Sequence, residues 1–115
     1  MNKEDIRNYL KSLPGAEESS PFGEKSYVYK IEGKMFCTFG HEYEPRHLTL
    51  KADPVAIPSL IEGYDEIIPG YYMNKKHWFT IELNDATSAD FLIIHIINSY
   101  KLVLSNLPKT LRDRY

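Results

Sequence analysis

The sequence predicts an α+β domain, with helices packed on one face of a single-layer antiparallel sheet. Two strand patterns, residues 25–31 and 34–39, are joined by the two-residue turn Glu32-Gly33, and such short hairpins are typical of antiparallel pairing. An apolar stripe at helical spacing predicts a long helix over residues 88–106. The chain has 115 residues, enough for one core, so we expect residues 1–115 to form a single domain.

Local signals before the hairpin predict a helix and a loop. Asn2 can cap a helix that Pro14-Gly15 ends. Residues 16–23 are rich in serine, glutamate, proline and glycine, which is typical of a loop, and we expect Phe22 to anchor it to the core.

A third strand over residues 47–52 alternates apolar and polar side chains, with Leu48 and Leu50 inward. Asp53-Pro54 then resembles a helix start. Pro58 lies one turn later and lacks the N–H that a helix interior needs, so this helix is short, kinked or begins later. Further on, Thr87 with Asp90 resembles a capping box for the last helix.

The hairpin turn predicts which residues pair across it. It sets Tyr29 opposite Phe36 and Val28 opposite Cys37, and it gathers Tyr27, Tyr29 and Phe36 on one face. The other face is also largely apolar. Periodicity therefore leaves open which face packs on helices, and a slip of one residue would exchange them.

Residues 69–83, PGYYMNKKHWFTIEL, organise the rest of the chain. A Pro-Gly turn is followed by a basic segment with Lys75, Lys76 and His77. A strand follows, with its aliphatic side chains on one side and Trp78, the chain's only tryptophan, on the other. Trp78 is either covered by a second layer or presented outward beside the two lysines.

Composition limits the possible functions. A net charge of −2 gives no global attraction to nucleic acid, so any polyanion site must be a local patch. One cysteine excludes an internal disulfide and fits a reducing cytosol. Neither a secretory leader nor an apolar run of about 20 residues is present, so we expect a cytoplasmic protein without a membrane span.

The common catalytic and phosphate-binding motifs are missing. The loop ligands His41, Glu42, Glu44 and His47 match no closed four-ligand pattern. Cys37 lies within a strand, where a free cysteine usually serves as a small hydrophobic residue. We therefore expect no enzyme activity, no cofactor and no metal.

The remaining candidate site is basic and aromatic. It comprises Lys75, Lys76, His77 and Trp78, with Lys51 and Lys34 as possible neighbours; lysines neutralise phosphates and aromatic rings stack on bases. The alternative is a hairpin whose lysines discourage edge-to-edge sheet pairing, with Trp78 simply packed. The residues by themselves favour this alternative.

Five stretches of the sequence carry a resemblance to a known family: LPGAEESSPFG, YVYKIEGKMFCTF, LTLKADP, PGYYMNKKHWFTIEL and SYKLVLSNLPK. In this order they resemble the MmcQ/YjbR-like family of small bacterial proteins. The resemblance implies a frataxin-like (CyaY-like) α+β fold, a double-wing shape and DNA binding. Frataxin-like proteins bind iron through an acidic surface. We do not expect iron binding here, because the first helix mixes Glu4 and Asp5 with Lys3, Arg7 and Lys11 and so lacks that acidic surface.

Two functional hypotheses follow. The first is a small cytosolic, non-enzymatic DNA-binding module, expected to be a monomer, in which Lys75, Lys76 and His77 contact phosphate. In this hypothesis Trp78 either positions the hairpin or stacks on a base. The second is a protein-partner adaptor that uses the aromatic face of Tyr27, Tyr29 and Phe36, provided that this face lacks a helix cover.

Overall fold

The computed structural model describes residues 1–23, 25–41 and 45–115. The helices of this part are α1 Lys3–Ser12, α2 Ile57–Gly63, α3 Ala89–Ser105 and α4 Lys109–Arg112. The strands are β1 Ala16–Ser19, β2 Ser26–Ile31, β3 Lys34–Gly40, β4 His47–Lys51, β5 Ile67–Pro69 and β6 Trp78–Glu82. The strands form one antiparallel sheet in the order β1-β2-β3-β4-β6-β5.

One face of this sheet carries the core. Leu50 of β4 pairs with Cys37 on one side and Phe79 on the other, and all three are buried. Ile6 of α1 and Ile96 of α3 belong to the same apolar cluster. We refer to this side as the helix face and to the other side as the open face. The predicted α+β class, with helices on one face of an antiparallel sheet, is confirmed.

The β2–β3 hairpin confirms the predicted turn but not the whole register. Glu32 and Gly33 both have positive φ, +49° and +76°, as the tightest two-residue hairpin turns require. The register shifts between Tyr29 and Lys30, so that Tyr29 pairs with Cys37 and not with Phe36. The predicted pairing is wrong there because a β-bulge adds Phe36 to one strand, and strand alternation does not reveal such an insertion.

The structure also shows how far the aromatic face of Tyr27, Tyr29 and Phe36 is buried. Tyr29 and Phe36 are fully buried, and the Phe36 ring meets Tyr100 of α3 edge-on at 5.5 Å. Tyr27 is half-buried against the same core. The possibility that this face lacks a helix cover is therefore wrong at Tyr29 and Phe36, two of the three residues on which the adaptor hypothesis depended.

Two expectations about residues 16–23 are also wrong. Ala16–Ser19 forms β1, an edge strand held by backbone pairing to β2, although its sequence AEES has none of the large apolar residues that mark a strand. Phe22 is 81% exposed and does not anchor the segment.

Helix starts differ from the sequence signals by a few residues. The second helix begins late, at Ile57, which places Pro58 in the first turn, where its missing N–H costs nothing. The cap of α3 is Ser88, whose Oγ accepts from the Phe91 N–H at 3.1 Å. Thr87 Oγ1 instead accepts from the Asn84 N–H at 3.0 Å, within the preceding turn.

Across the residues that the structure describes, no helix is both long and apolar enough to traverse a bilayer.

Candidate nucleic-acid interface

Residues 70–77, here called the 70–77 segment, fold back over the open face between β5 and β6. The Tyr71 N–H donates to Thr80 Oγ1 at 2.9 Å, and Thr80 Oγ1 lies 2.7 Å from Thr49 Oγ1 on β4. The Tyr71 ring contacts the His47 ring with centroids 4.6 Å apart. Both threonines are buried, so the segment is a fixed layer on the sheet and not a free loop.

The segment starts with a turn around Gly70. The Met73 N–H donates to the Gly70 carbonyl at 3.4 Å, and Tyr72 at the third turn position has φ +58°. This combination is that of a type II turn, which normally carries glycine or asparagine at the third position. Gly70 itself leaves no space for a side chain, since a Cβ there would lie 2.8 Å from the Cβ of Trp78.

Asn74 organises a second turn that leads into β6. Its Oδ1 accepts from the Lys76 N–H at 2.8 Å, and its carbonyl accepts from the N–H groups of His77 and Trp78. An asparagine that accepts from the backbone two residues later stabilises a turn locally. The two lysines therefore project from a hydrogen-bonded turn.

Lys75 and Lys76 are both exposed. Lys75 Nζ donates to the Gly70 carbonyl at 2.8 Å, and within residues 1–23, 25–41 and 45–115 neither ammonium group forms a salt bridge. Both lysines border a cleft of about 540 Å³ beside α2. The other cleft residues are Pro54, Ile57, Pro58, Ile61, Glu62 and Pro69.

Trp78 is packed and not presented outward. The residue is only 8% exposed, and Lys51 Nζ lies 5.7 Å from the centre of its ring. Trp78 supports the segment from beneath and has no free ring face for a base. His77 is half-buried, and its carbonyl accepts from the Ala52 N–H at 3.1 Å, which extends the β4–β6 pairing.

The six predicted contact residues do not form one patch. Lys75, Lys76 and His77 lie together in the 70–77 segment. Lys51 lies on the same side of the sheet, because it pairs with Trp78 in the β4–β6 register and paired residues share a face. Lys34 pairs with Ile31, whose side chain is in the core on the helix face, and paired residues share a face. Lys34 is therefore separated from the other five.

The structure adds two residues that sequence reasoning missed, Tyr71 and Tyr72. Tyr71 is 46% exposed and Tyr72 is 89% exposed, and their ring centroids are 4.4 Å apart. The Tyr72 phenol raises the pKa of Tyr71 above its usual value, mainly through a hydrogen bond. The sequence signal was a tyrosine pair directly after Pro69-Gly70, at turn positions that would not bury both rings.

Other chemically capable groups lie away from this site. Burial raises the pKa of the Cys37 thiol well above its usual value, so it is not a thiolate near neutral pH. Burial also lowers the pKa of His95, which packs between Phe79 and Phe91.

The loop that holds the candidate metal ligands is only partly described, because Glu42 and Glu44 lie outside the described residues. His41 stacks on Tyr27, whereas His47 packs against Tyr71. In the described part of the chain, no three His, Cys, Asp or Glu side chains come together as a group able to hold a metal ion.

Comparison with known proteins places these features in a family. The YjbR family model matches residues 11–102. YbdF of Escherichia coli O157:H7 is 34% identical over 113 residues, covering 95% of this chain and 93% of that protein. YjbR of Escherichia coli K12 is 26% identical, covering 97% and 95%. Both relatives are described as uncharacterized.

Two solved structures of other proteins superpose on most of this chain. A crystal structure of a Deinococcus radiodurans protein with the DUF419 domain superposes with a TM-score of 0.88 at 31% identity, covering 96% of this chain and 85% of that one. A Pseudomonas syringae crystal structure gives a TM-score of 0.76 at 22% identity, covering 89% and 98%. The double-wing shape and the DNA binding that the resemblance implied stay predictions. The matched family model and the relatives that align along nearly the full chain show that this protein belongs to the YjbR family.

Proposed function

We propose that this protein is a non-enzymatic, monomeric, cytoplasmic module that binds DNA through the 70–77 segment. The observation that carries the proposal is the pair Lys75 and Lys76, which is exposed, held by a hydrogen-bonded turn and not neutralised by a salt bridge within the described chain. In DNA complexes, lysines neutralise backbone phosphates, and this attraction supplies essentially all of the non-specific affinity.

The roles within the segment follow from the contacts. Lys75 and Lys76 would neutralise phosphates, and Lys51 would add positive charge next to Trp78. Trp78 is buried, so its role is to hold the turn on the sheet and not to stack on a base. The net charge of −2 gives no global attraction to a polyanion, so binding should be local and weak at physiological salt.

Removing both lysines tests the proposal. In fluorescence anisotropy with labelled 20-nucleotide duplex and single-stranded DNA, we expect Lys75→Ala with Lys76→Ala to weaken binding. The slope of log affinity against log salt should become less steep by about 1.4 to 1.8, the effect of two phosphate contacts.

The matched control is Lys34→Ala with Lys101→Ala. Both residues are exposed, and the double change removes the same charge from the β2–β3 hairpin and from α3. We expect this variant to bind like the wild type. Equal losses in the two variants, or a wild-type protein with no salt-dependent affinity, would refute the proposed site.

A further inference from the structure

Tyr72 combines two features that its role in folding does not explain. Its side chain is 89% exposed, so it contributes almost nothing to the core. Its backbone has φ +58° at a type II turn position where glycine or asparagine is normal. Among the described residues, Glu32 is the only other non-glycine with positive φ, and its hairpin turn requires that value. Backbone strain of this kind is typically found at functional sites.

The exposed ring belongs to an anchored aromatic surface. Tyr72 contacts Tyr71 with centroids 4.4 Å apart, and Tyr71 contacts His47 at 4.6 Å. The Tyr71 backbone is fixed to the sheet by its 2.9 Å hydrogen bond to Thr80. An exposed ring that packs against a neighbour fixed to the sheet is suited to stacking, because less conformational freedom is lost on binding.

Positive charge lies at one end of this aromatic surface. Lys75 Nζ bonds to the carbonyl of Gly70, the residue that directly precedes Tyr71. At the other end, Glu82 Oε2 lies 3.6 Å from His47 Nε2. A phosphate is therefore favoured near Lys75 and disfavoured near Glu82, and the ring of Tyr72 lies in the same segment as the favoured end.

We infer that the DNA bound by this segment is single-stranded, with an unstacked base packed on Tyr72 and the adjacent phosphate at Lys75; this inference rests on the proposed function. A duplex offers phosphates to the lysines, but its base faces are stacked within the helix. A single strand offers phosphate and base face together, which is the combination of groups that single-strand sites use.

The test compares three labelled 20-mers at one low salt concentration: oligothymidylate, a duplex, and an abasic strand with the same phosphates. We expect the wild type to bind oligothymidylate at least about fivefold more tightly than the other two. Tyr72→Asn removes the ring and suits the turn, so the protein should fold. It should weaken oligothymidylate binding about tenfold and leave the other two within about twofold. Tyr72→Phe should bind as the wild type does.

The possible failures are distinguishable. If the duplex binds as tightly as oligothymidylate, or if Tyr72→Asn weakens all three ligands equally, the single-strand inference is wrong while lysine-dependent DNA binding stands. If none of the three ligands binds to the wild type, the inference and the proposed function are both wrong.

Discussion

The backbone of Tyr72 predicts that a change at this one residue will stabilise the protein. A side chain with a Cβ is disfavoured at φ +58°, whereas asparagine tolerates this region and glycine adopts it freely. Because the ring is 89% exposed, removing it sacrifices little buried area. We expect Tyr72→Asn to raise the free energy of unfolding by about 0.5–1 kcal/mol, measured from the midpoint of urea denaturation at constant slope.

Tyr72→Ala is the matched control, since it removes the same ring and keeps a Cβ at positive φ. It should leave stability unchanged or lower it slightly. Equal stabilisation by asparagine and alanine would assign the effect to the loss of the exposed ring and not to the backbone. Greater stability with weaker DNA binding in the asparagine variant would be the usual relation between stability and a strained site.

At the scale of residues, the sequence indicates the segment that carries the candidate site but not all of the side chains exposed there. The sequence identifies Lys75 and Lys76 because the charge of a residue is evident from its type. The sequence does not determine whether Trp78 is buried, since burial on the open face depends on how the 70–77 segment folds back. Tyr71 and Tyr72 were missed because only the turn geometry shows that both rings remain accessible.

At the scale of elements, α3 is joined to the sheet at the β-bulge by one serine. Ser99 is fully buried; its Oγ donates to the Phe36 carbonyl at 2.6 Å and accepts from the Lys51 N–H at 2.8 Å. Phe36 is the inserted residue of the bulge, and Lys51 is the last residue of β4. One hydroxyl thus satisfies two backbone groups that the sheet leaves without partners.

Replacing this hydroxyl should cost stability out of proportion to its size. We expect Ser99→Ala to lower the free energy of unfolding by about 2–3 kcal/mol, since it leaves the buried Phe36 carbonyl and the part-buried Lys51 N–H unsatisfied. Ser105→Ala is the control, because Ser105 is exposed on the same helix and its Oγ donates only to the nearby Leu102 carbonyl. Its cost should stay within about 0.5 kcal/mol. Similar costs for the two changes would contradict the bridging role of Ser99.

Element prediction succeeded where the signal was periodic and failed where it was not. The long apolar period of α3 and the alternation in β4 and β6 were sufficient for these elements. The bulge at Phe36 was invisible, because both hairpin faces were apolar and alternation gave no reference from which to detect an insertion. Residues 16–19 lack a strand pattern because an edge strand held by backbone pairing needs no apolar side chains of its own.

At the scale of the whole molecule, a network of charges connects the first helix to the sheet edge. Arg7 of α1 makes two hydrogen bonds to Glu18 of β1, at 2.8 and 3.1 Å, and its guanidinium lies 4.1 Å above the Tyr27 ring. The Tyr29 phenol donates to the same carboxylate at 2.7 Å. The hydrogen bond from Arg7, followed by that from Tyr29, holds the pKa of Glu18 below its ordinary value of 4.5.

This network predicts how acid unfolds the protein. Because the folded state lowers the pKa of Glu18, it favours the carboxylate, and the resulting stabilisation is complete above about pH 4.5 and is lost as the pH falls through the lower folded value. Glu18→Gln should therefore lower the free energy of unfolding by about 1–3 kcal/mol at pH 7, with the difference from the wild type shrinking below pH 4.5.

The neighbouring Glu17 provides the control for this effect. It lies on the same strand, is exposed and carries the same charge, so Glu17→Gln changes the net charge equally without removing the half-buried partner of Arg7. We expect urea denaturation at pH 7, 5, 4 and 3 to show a pH-dependent gap for Glu18→Gln alone. A gap that stayed constant down to pH 3 would mean that the Glu18 carboxylate contributes by its shape and not by its charge. The first helix would then be held to β1 by packing of Ile6 and Leu10, not by Arg7.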